Sequence, residues 1–142
     1  MSPRPIDAAS PEWQMFVATL GEAGLVTDDL IESGARFFAL GDGAAFAGYE
    51  RFGAVALLRS VVAPPASRGR GLGAAVVGEI LDALRGEGVE EVWLLTTSAK
   101  AFFARQGFTV ADRAAAPAPI AACRQFATLC PSSAELMCRK PV

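Results

Sequence analysis

The chain has no histidine, one tyrosine and three cysteines among its 142 residues. Without imidazole there is no Ser-His-Asp triad, no Cys-His pair, no histidine-ligated metal centre and no ordinary acid or base poised near neutrality. Proton transfers would fall to carboxylates, hydroxyls, Tyr49, the backbone or water. Cys123, Cys130 and Cys138 make an odd count with no secretion signal ahead of them, so a disulfide framework is not expected. No apolar run approaches the ~18–20 residues of a membrane span, and Met1 to Pro11 lacks the basic-then-apolar order of a signal peptide. The expected compartment is the cytoplasm, with no membrane partner. A basic excess is missing too: 13 Lys and Arg face 15 Asp and Glu, for a net charge of −2. That balance speaks against a nucleic-acid partner, and any polyanion must be handled locally.

What the chain does have is apolar content. Hydrophobic residues make up 52% and charged residues 20%, which excludes disorder, although alanine supplies much of the apolar share. The length fits a single domain, residues 1–142, able to bury a core without staples.

Pro3 to Ile6 reads as an edge strand, and Ser10-Pro11-Glu12 as a helix start with a hydroxyl cap and proline at the first helical position. Trp13, Phe16, Val17 and Leu20 follow at helical spacing. Thr27-Asp28-Asp29 predicts a second short helix with Leu30 and Ile31 inward. Strands are expected at Arg36 to Leu40, Ala45 to Arg51 and Ala54 to Ala63, the last interrupted by Arg59 and Ser60 and stopped by Pro64-Pro65. From Leu72 the period becomes helical, with Val76, Val77, Ile80, Leu81 and Leu84 on one face. Val89 to Leu95 reads as a strand buried on both faces. Ser98 is placed as the cap of a short helix carrying Phe102 and Phe103. Phe108 to Ala111 and Ala134 to Arg139 are strands around a helix at Ile120 to Leu129. Hairpins come first and strand-helix-strand units follow. The fold class is mixed α/β, antiparallel strands on one side and a parallel pair in the centre.

The segment that points to chemistry runs from Val61 through Pro64-Pro65 to Arg68-Gly69-Arg70-Gly71-Leu72-Gly73. A strand ends, and glycines at alternate positions open a helix. The first turn of a helix offers unpaired N–H groups and partial positive charge, and glycine lets an anion approach them. This is a phosphate-binding device, supplemented by two arginines. Gly69, Gly71 and Ala74 also fit a dinucleotide fingerprint, but the next strand ends Leu95-Thr96-Thr97-Ser98 without the acid that unit needs. A P-loop pattern is absent. The remaining fit is [QR]-x-x-G-x-[GA].

In this pattern the chain resembles the GCN5-related N-acetyltransferase (GNAT) superfamily, which joins the motif to a later helix reading F-Y-x-x-x-G-F. Here that piece is Phe102-Phe103-Ala104-Arg105-Gln106-Gly107-Phe108. The two pieces stand one strand and one helix apart, in order. The resemblance implies the GNAT-type mixed sheet with a splayed central parallel pair, acetyl-CoA as co-substrate, no metal, and a small-molecule amine as acceptor, and it leaves a homodimer open. A narrower resemblance, to the arsenic-resistance N-acetyltransferase subgroup, rests on Leu57-Leu58-Arg59-Ser60, Leu94-Leu95-Thr96-Thr97, Asp112 to Pro117 and Phe126 to Ala134. It implies an acceptor such as an organoarsenical or another amino-acid-like toxic amine.

Residue by residue, the resemblance implies that the N–H groups of Arg68, Gly69, Arg70, Gly71, Leu72 and Gly73 hold the pyrophosphate. Val62 and Ala63 would pair with the pantetheine arm and polarise the thioester carbonyl. Thr96, Thr97 and Ser98 would line the other wall, with Phe103 near the thiol end and Arg105 toward the adenosine. The family often has tyrosine where this chain has Phe103, so the usual proton donor to the leaving thiolate is missing. Glu50 is the preferred base, directly or through water, with Tyr49 as alternative acid. The two are adjacent on a strand, so at most one faces the cleft, and Ser60 and Arg59 divide the same way. Plainer readings stand beside these. Phe102 and Phe103 read mostly as core, and Glu50 as a solvated strand residue. Arg59 is a carboxylate clamp or an internal ion-pair partner. The cysteines are small buried hydrophobes or soft ligands for an arsenical. A non-catalytic acyl-CoA-binding or sensing module, motivated by Phe103 and the missing histidine, is the alternative function, and a dinucleotide-binding module a third.

Overall fold

A computed structural model describes residues 3–25, 27–31, 33–123 and 133–142. The strands are β1 (Pro3–Ile6), β2 (Arg36–Leu40), β3 (Ala45–Phe52), β4 (Val55–Val62), β5 (Glu91–Thr96), β6 (Thr109–Ala111) and β7 (Glu135–Arg139). The helices are α1 (Trp13–Glu22), α2 (Leu72–Gly86), α3 (Lys100–Arg105) and α4 (Ala118–Ala122). All seven strands join one sheet in the order β1-β2-β3-β4-β5-β7-β6. Among the described residues only β4 and β5 run parallel, so a mixed α/β fold with an antiparallel N-terminal meander and a central parallel pair is observed.

Strand alternation divides the core between the two faces of the sheet. Leu40, Ala45, Ala47, Tyr49, Ala56, Leu58, Val92 and Leu94 point to one face, where the apolar stripe of α2 covers them. All five apolar positions of that stripe are buried, so α2 is held by tertiary packing of one face. The other face carries two separate clusters. Phe37, Ala39, Phe46 and Val62 pack under Phe16 and Leu20 of α1. Leu57, Trp93, Leu136 and Cys138 pack under Ile120 of α4. Between them, among the described residues, the face carries charged side chains rather than an apolar cluster.

An irregularity in β4 adjoins this gap between the clusters. Gly48 pairs with Arg59, but Phe46 pairs with Val62, so β4 holds one extra residue. The bulge is centred on Ser60, whose φ of 59° makes it the one non-glycine residue with positive φ among those described. Its effect is a change of parity. Ala56 and Leu58 face α2 before it; Val61 and Ala63 do so after it. A sequence read as uninterrupted alternation cannot show this.

Several local expectations differ from the structure. α1 begins at Trp13, because Ser10 spends its hydroxyl accepting from the Asp7 N–H at 2.9 Å and leaves the helix uncapped by a side chain. Residues 28–31 form turns rather than a second helix, and Ile31 is 73% exposed while Leu30 is buried. Asp29 is drawn into the protein by an ion pair instead of capping a helix. Ser98 does not cap α3. Thr96 accepts the Ala99 N–H at 3.0 Å, and the helix starts after Ala99. The helix expected at Ile120 to Leu129 appears as α4, which ends at Ala122 because Cys123 turns to an extended conformation; residues 124–129 of that expectation, like Cys130, lie outside the described residues.

Gly48 sits where no side chain fits. A Cβ there would collide with the Phe37 ring and approach the Arg36 carbonyl oxygen to 2.9 Å. Glycine is therefore required by close approach of β2, and Gly48→Ala should lower stability by about 1–3 kcal/mol in denaturant unfolding, as overpacking does.

Candidate active site

β4 and β5 pair over three residues only, Val55 with Glu91, Ala56 with Val92 and Leu57 with Trp93. Beyond Leu57 they diverge, and among the described residues the β5-facing edge of β4 has no strand partner. Each β-strand edge carries N–H and C=O groups that need partners or water. The strands enclose a cavity of about 310 Å³. Leu58 to Ala63, Arg59 and Ser60 included, line one wall, Leu94 to Ala99 the other, and Phe102, Phe103 and Gly73 the end toward α2. Ala23 and Leu25, after α1, also reach it.

At that end the chain makes the glycine turn. Gly69 and Gly71 adopt φ of 80° and 72°, the left-handed region that costs other residues ~1–2 kcal/mol. A Cβ at either would meet open space, so the need for glycine is conformational. Gly71 precedes α2, and the first helical bond runs from Ala75 N–H to Gly71 C=O. The N–H groups of Leu72, Gly73 and Ala74 are left without intrahelical partners. Arg68 donates through Nε to the Ala63 carbonyl at 3.1 Å, tying the turn to the end of β4, and Arg70 is exposed.

On the opposite face of the sheet, in the gap between the two apolar clusters, three charged side chains are buried. Arg59 donates through Nη1 and Nη2 to Asp29 Oδ2 and Oδ1 at 2.7 and 2.6 Å. Nη1 also donates to Glu50 Oε2 at 3.2 Å, and Nε to Ser60 Oγ at 3.2 Å. The guanidinium lies 5.7 Å from the centroid of the Phe37 ring. Of the two readings open for Arg59, the ion-pair partner is the one observed. Glu50 is buried rather than solvated. Burial raises its pKa, against the lowering influence of Arg59, and the Asp29 charge adds to the rise. For Arg59, burial by itself would lower the pKa, but Asp29 and Glu50 more than reverse this and keep it cationic.

The structure brings some of the sequence-selected residues together and separates others. Ser60, Val62, Ala63, Gly73, Thr97 and Phe103 all border the cavity. Glu50 stands one residue behind its wall, bonded to Arg59. Tyr49 faces α2 instead, where its hydroxyl donates to Glu87 Oε2 at 3.4 Å beside the Arg51–Glu87 ion pair. Phe103 stacks edge-on with Phe102 and Phe108 and carries both roles, core residue and cavity end. Arg105 is exposed on α3, away from the lining residues. Asp29 was not selected from the sequence. The signal was Arg59 itself, since a cation inside an apolar strand needs a counter-charge; nothing local said that it would come from 30 residues away. Among the described residues no group of His, Cys, Asp and Glu could hold a metal ion, and no helix is long and apolar enough to cross a membrane.

A mixed sheet whose central parallel strands part, with a glycine turn at the mouth of the opening, defines an acyl-CoA acetyltransferase fold. The family model described as the acetyltransferase (GNAT) family matches residues 9–108, and the chain belongs to that family. No curated protein matches it. Among solved structures it is similar to Rv2747 from Mycobacterium tuberculosis in complex with CoA. That likeness has 18% identity and a TM-score of 0.78, over 99% of this chain and 100% of the other. It is also similar to N-acetylglutamate synthase from Neisseria gonorrhoeae, complexed with coenzyme A and N-acetyl-glutamate, at 19% identity and a TM-score of 0.76. The match takes in 100% of this chain but spans only 36% of the synthase. Tetrahymena GCN5 gives 10% identity and a TM-score of 0.72, over 100% and 97% of the two chains. At these identities the likeness is one of fold.

Removing Arg59 strands two buried carboxylates, so Arg59→Met should cost about 3–5 kcal/mol in urea unfolding at neutral pH. Glu50→Gln should cost far less, because Asp29 still holds both terminal nitrogens of Arg59. The sign for Glu50 follows from its raised pKa. Its contribution to stability is full below the ordinary value of 4.5 and is lost as pH rises through the folded-state value. The variant's stability should therefore fall less than the wild type's between that pH and neutrality.

Proposed function

We propose that this chain transfers the acetyl group of acetyl-CoA to the nitrogen of a small amine in one ternary complex. The observation that carries the reading is the parting of β4 from β5 beyond the Leu57–Trp93 pair, which opens a lined cavity running to the first turn of α2. A pantetheine arm is a chain of amides, and the free edge of β4 offers it strand-like partners. The N–H groups at the start of α2, with Arg68 and Arg70 nearby, suit a diphosphate. Val62 and Ala63 supply backbone at the level where a thioester carbonyl would need an N–H donor.

The acceptor arrives as an ammonium and gives one proton to Glu50, directly or through one water. A carboxylate whose pKa is pushed up by burial is better matched to that task near neutrality than an exposed one. The neutral nitrogen then forms its bond to the acetyl carbon, the carbon–sulfur bond breaks, and its electron pair leaves on sulfur. The second proton lost by nitrogen reaches the thiolate through water, because Phe103 has no hydroxyl to supply it. Ser60 borders the same cavity; its oxygen accepts from Arg59, so its own hydrogen remains to orient water there.

The acceptor class implied by the arsenic-resistance resemblance, an amine-bearing organoarsenical or amino-acid-like compound, belongs to this proposal. So the test is free-thiol release from acetyl-CoA with a panel of amines that includes amino-acid analogues and organoarsenicals. Release above hydrolysis is expected for at least one. CoA-induced thermal stabilisation without release from any acceptor would favour a sensing module instead.

Two variants separate binding from chemistry. A Cβ at Gly73 would meet only the Phe102 ring, at the ordinary distance of 3.5 Å. Gly73→Ala should therefore melt no lower than wild type, yet bind CoA at least ~10-fold more weakly by calorimetry, since tenfold needs only ~1.4 kcal/mol of crowding at the N–H groups. Glu50→Gln should keep CoA affinity and lose kcat by ~10²–10⁴-fold. In the wild type kcat/KM should fall on acidification through a midpoint above the usual carboxylate value of 4.5, and that limb should vanish in the variant.

A further inference from the structure

The three buried charges are unequally bound. Arg59 makes its two shortest contacts, 2.6 and 2.7 Å, to Asp29, in the parallel two-pronged geometry that matches guanidinium to carboxylate. Glu50 receives a single longer contact of 3.2 Å at Oε2. Among the described residues Oε1 of Glu50 takes no hydrogen bond, and it is not sealed from solvent. The remaining donor on the guanidinium edge, Nε, is spent on Ser60. Arg59 is thus held mainly by the residue farthest from it in sequence, and its neighbour across the sheet receives the remainder.

We propose that Asp29 is a positioning residue for the base. By occupying both terminal nitrogens of Arg59 it prevents the arginine from closing a two-pronged pair with Glu50, and it leaves one Glu50 oxygen to the ammonium of the acceptor. The inference rests on the reading of Glu50 as the base. A single arginine facing Glu50 alone would do the opposite: it would fix the carboxylate, hold it ionised and make it a poor proton acceptor. The second carboxylate turns a clamp into a bracket. It also leaves the cluster one negative charge in excess when Glu50 is ionised, so this part of the cleft attracts a cationic amine.

The groups around Glu50 make the consequence definite. Arg59 on β4 and Asp29 on the loop before β2 are the charges that act on it. The strand partner on its other side continues into Ala35, which is apolar and partly buried. Replacing Asp29 by asparagine removes a negative charge and frees an arginine nitrogen, and both changes favour ionised Glu50. Replacing Arg59 by glutamine as well removes the cation, which favours the protonated form.

The test compares Asp29→Asn with the double variant Asp29→Asn/Arg59→Gln in the full chain. In the single variant the acid limb of kcat/KM should move down by about one pH unit or more, with kcat reduced about tenfold at its plateau and KM for acetyl-CoA unchanged. In the double variant the limb should move above that of the wild type. A single variant that loses activity or melting temperature with an unmoved acid limb assigns Asp29 a structural role only and overturns the proposal. If Asp29→Asn does not fold, the double variant carries the test alone, since it leaves no unpaired charge from the Asp29–Arg59 pair, and an unmoved or lowered limb there is equally fatal. Carbon-13 NMR titration of the Glu50 carboxyl, assigned with Glu50→Gln, reads the same displacements without any substrate. Displacements seen there in a protein that acetylates nothing would sink the transferase reading and leave the electrostatic bracket standing.

Discussion

Two parallel strands that start together and then part govern this molecule. β4 and β5 share three residue pairs, and past Leu57 and Trp93 each loses the other as a hydrogen-bonding partner. Backbone polar groups left in this way must be met by water or by a ligand. The rest follows from how the parting is sustained. The bulge at Ser60 turns β4 and reverses the side to which its residues point. Val61 and Ala63 thereby continue the wall under α2, while Val62 returns to the cluster under α1. A non-glycine residue in the left-handed region costs ~1–2 kcal/mol, and such residues persist where surrounding structure over-determines them. Here the flanking pairs Gly48–Arg59 and Phe46–Val62 do so.

The same parting separates the apolar cover of the second face into two clusters, and the charged trio occupies the space between. Buried ion pairs seldom add net stability, because desolvation consumes much of their Coulombic gain. Three charges at 0–10% side-chain exposure are hard to explain as a device for holding the fold together. They make sense as a polar centre beside the cavity between β4 and β5, held in the interior by mutual bonding. On the other side of the sheet the chain solves a second electrostatic problem. A chain with a net charge of −2 has its aligned N–H groups and two arginines together in one turn, the local charge that the proposed binding of a polyanionic thioester needs.

Much of this was legible beforehand, and the legible parts share a cause. α2 was readable because its apolar residues recur at the helical period over fifteen residues, and all of its inward positions are buried. The glycine turn was readable because positive φ demands glycine. The misread places share a cause as well. Ser10, Asp29 and Ser98 all carry side chains that cap helices, and each spends its polar atoms elsewhere or leaves the helix start to a neighbour. A cap is a competition for one hydrogen bond, and its outcome depends on what else comes within reach. Tyr49 and Glu50 illustrate the limit from another side. Alternation required that they face opposite ways, but only the packing of α2 decided which of them met Glu87 and which met Arg59.

The sequence by itself determined most of the element types, the glycine turn and the family, because each rests on local periodicity or on a residue whose backbone freedom is unique. Tertiary structure alone decided where the buried charges meet. Asp29, Glu50 and Arg59 come from a loop and two strands, and no local pattern links them. An unpaired charge in the interior must find its counterpart through space, and the distance that matters to it is a few ångströms rather than thirty residues.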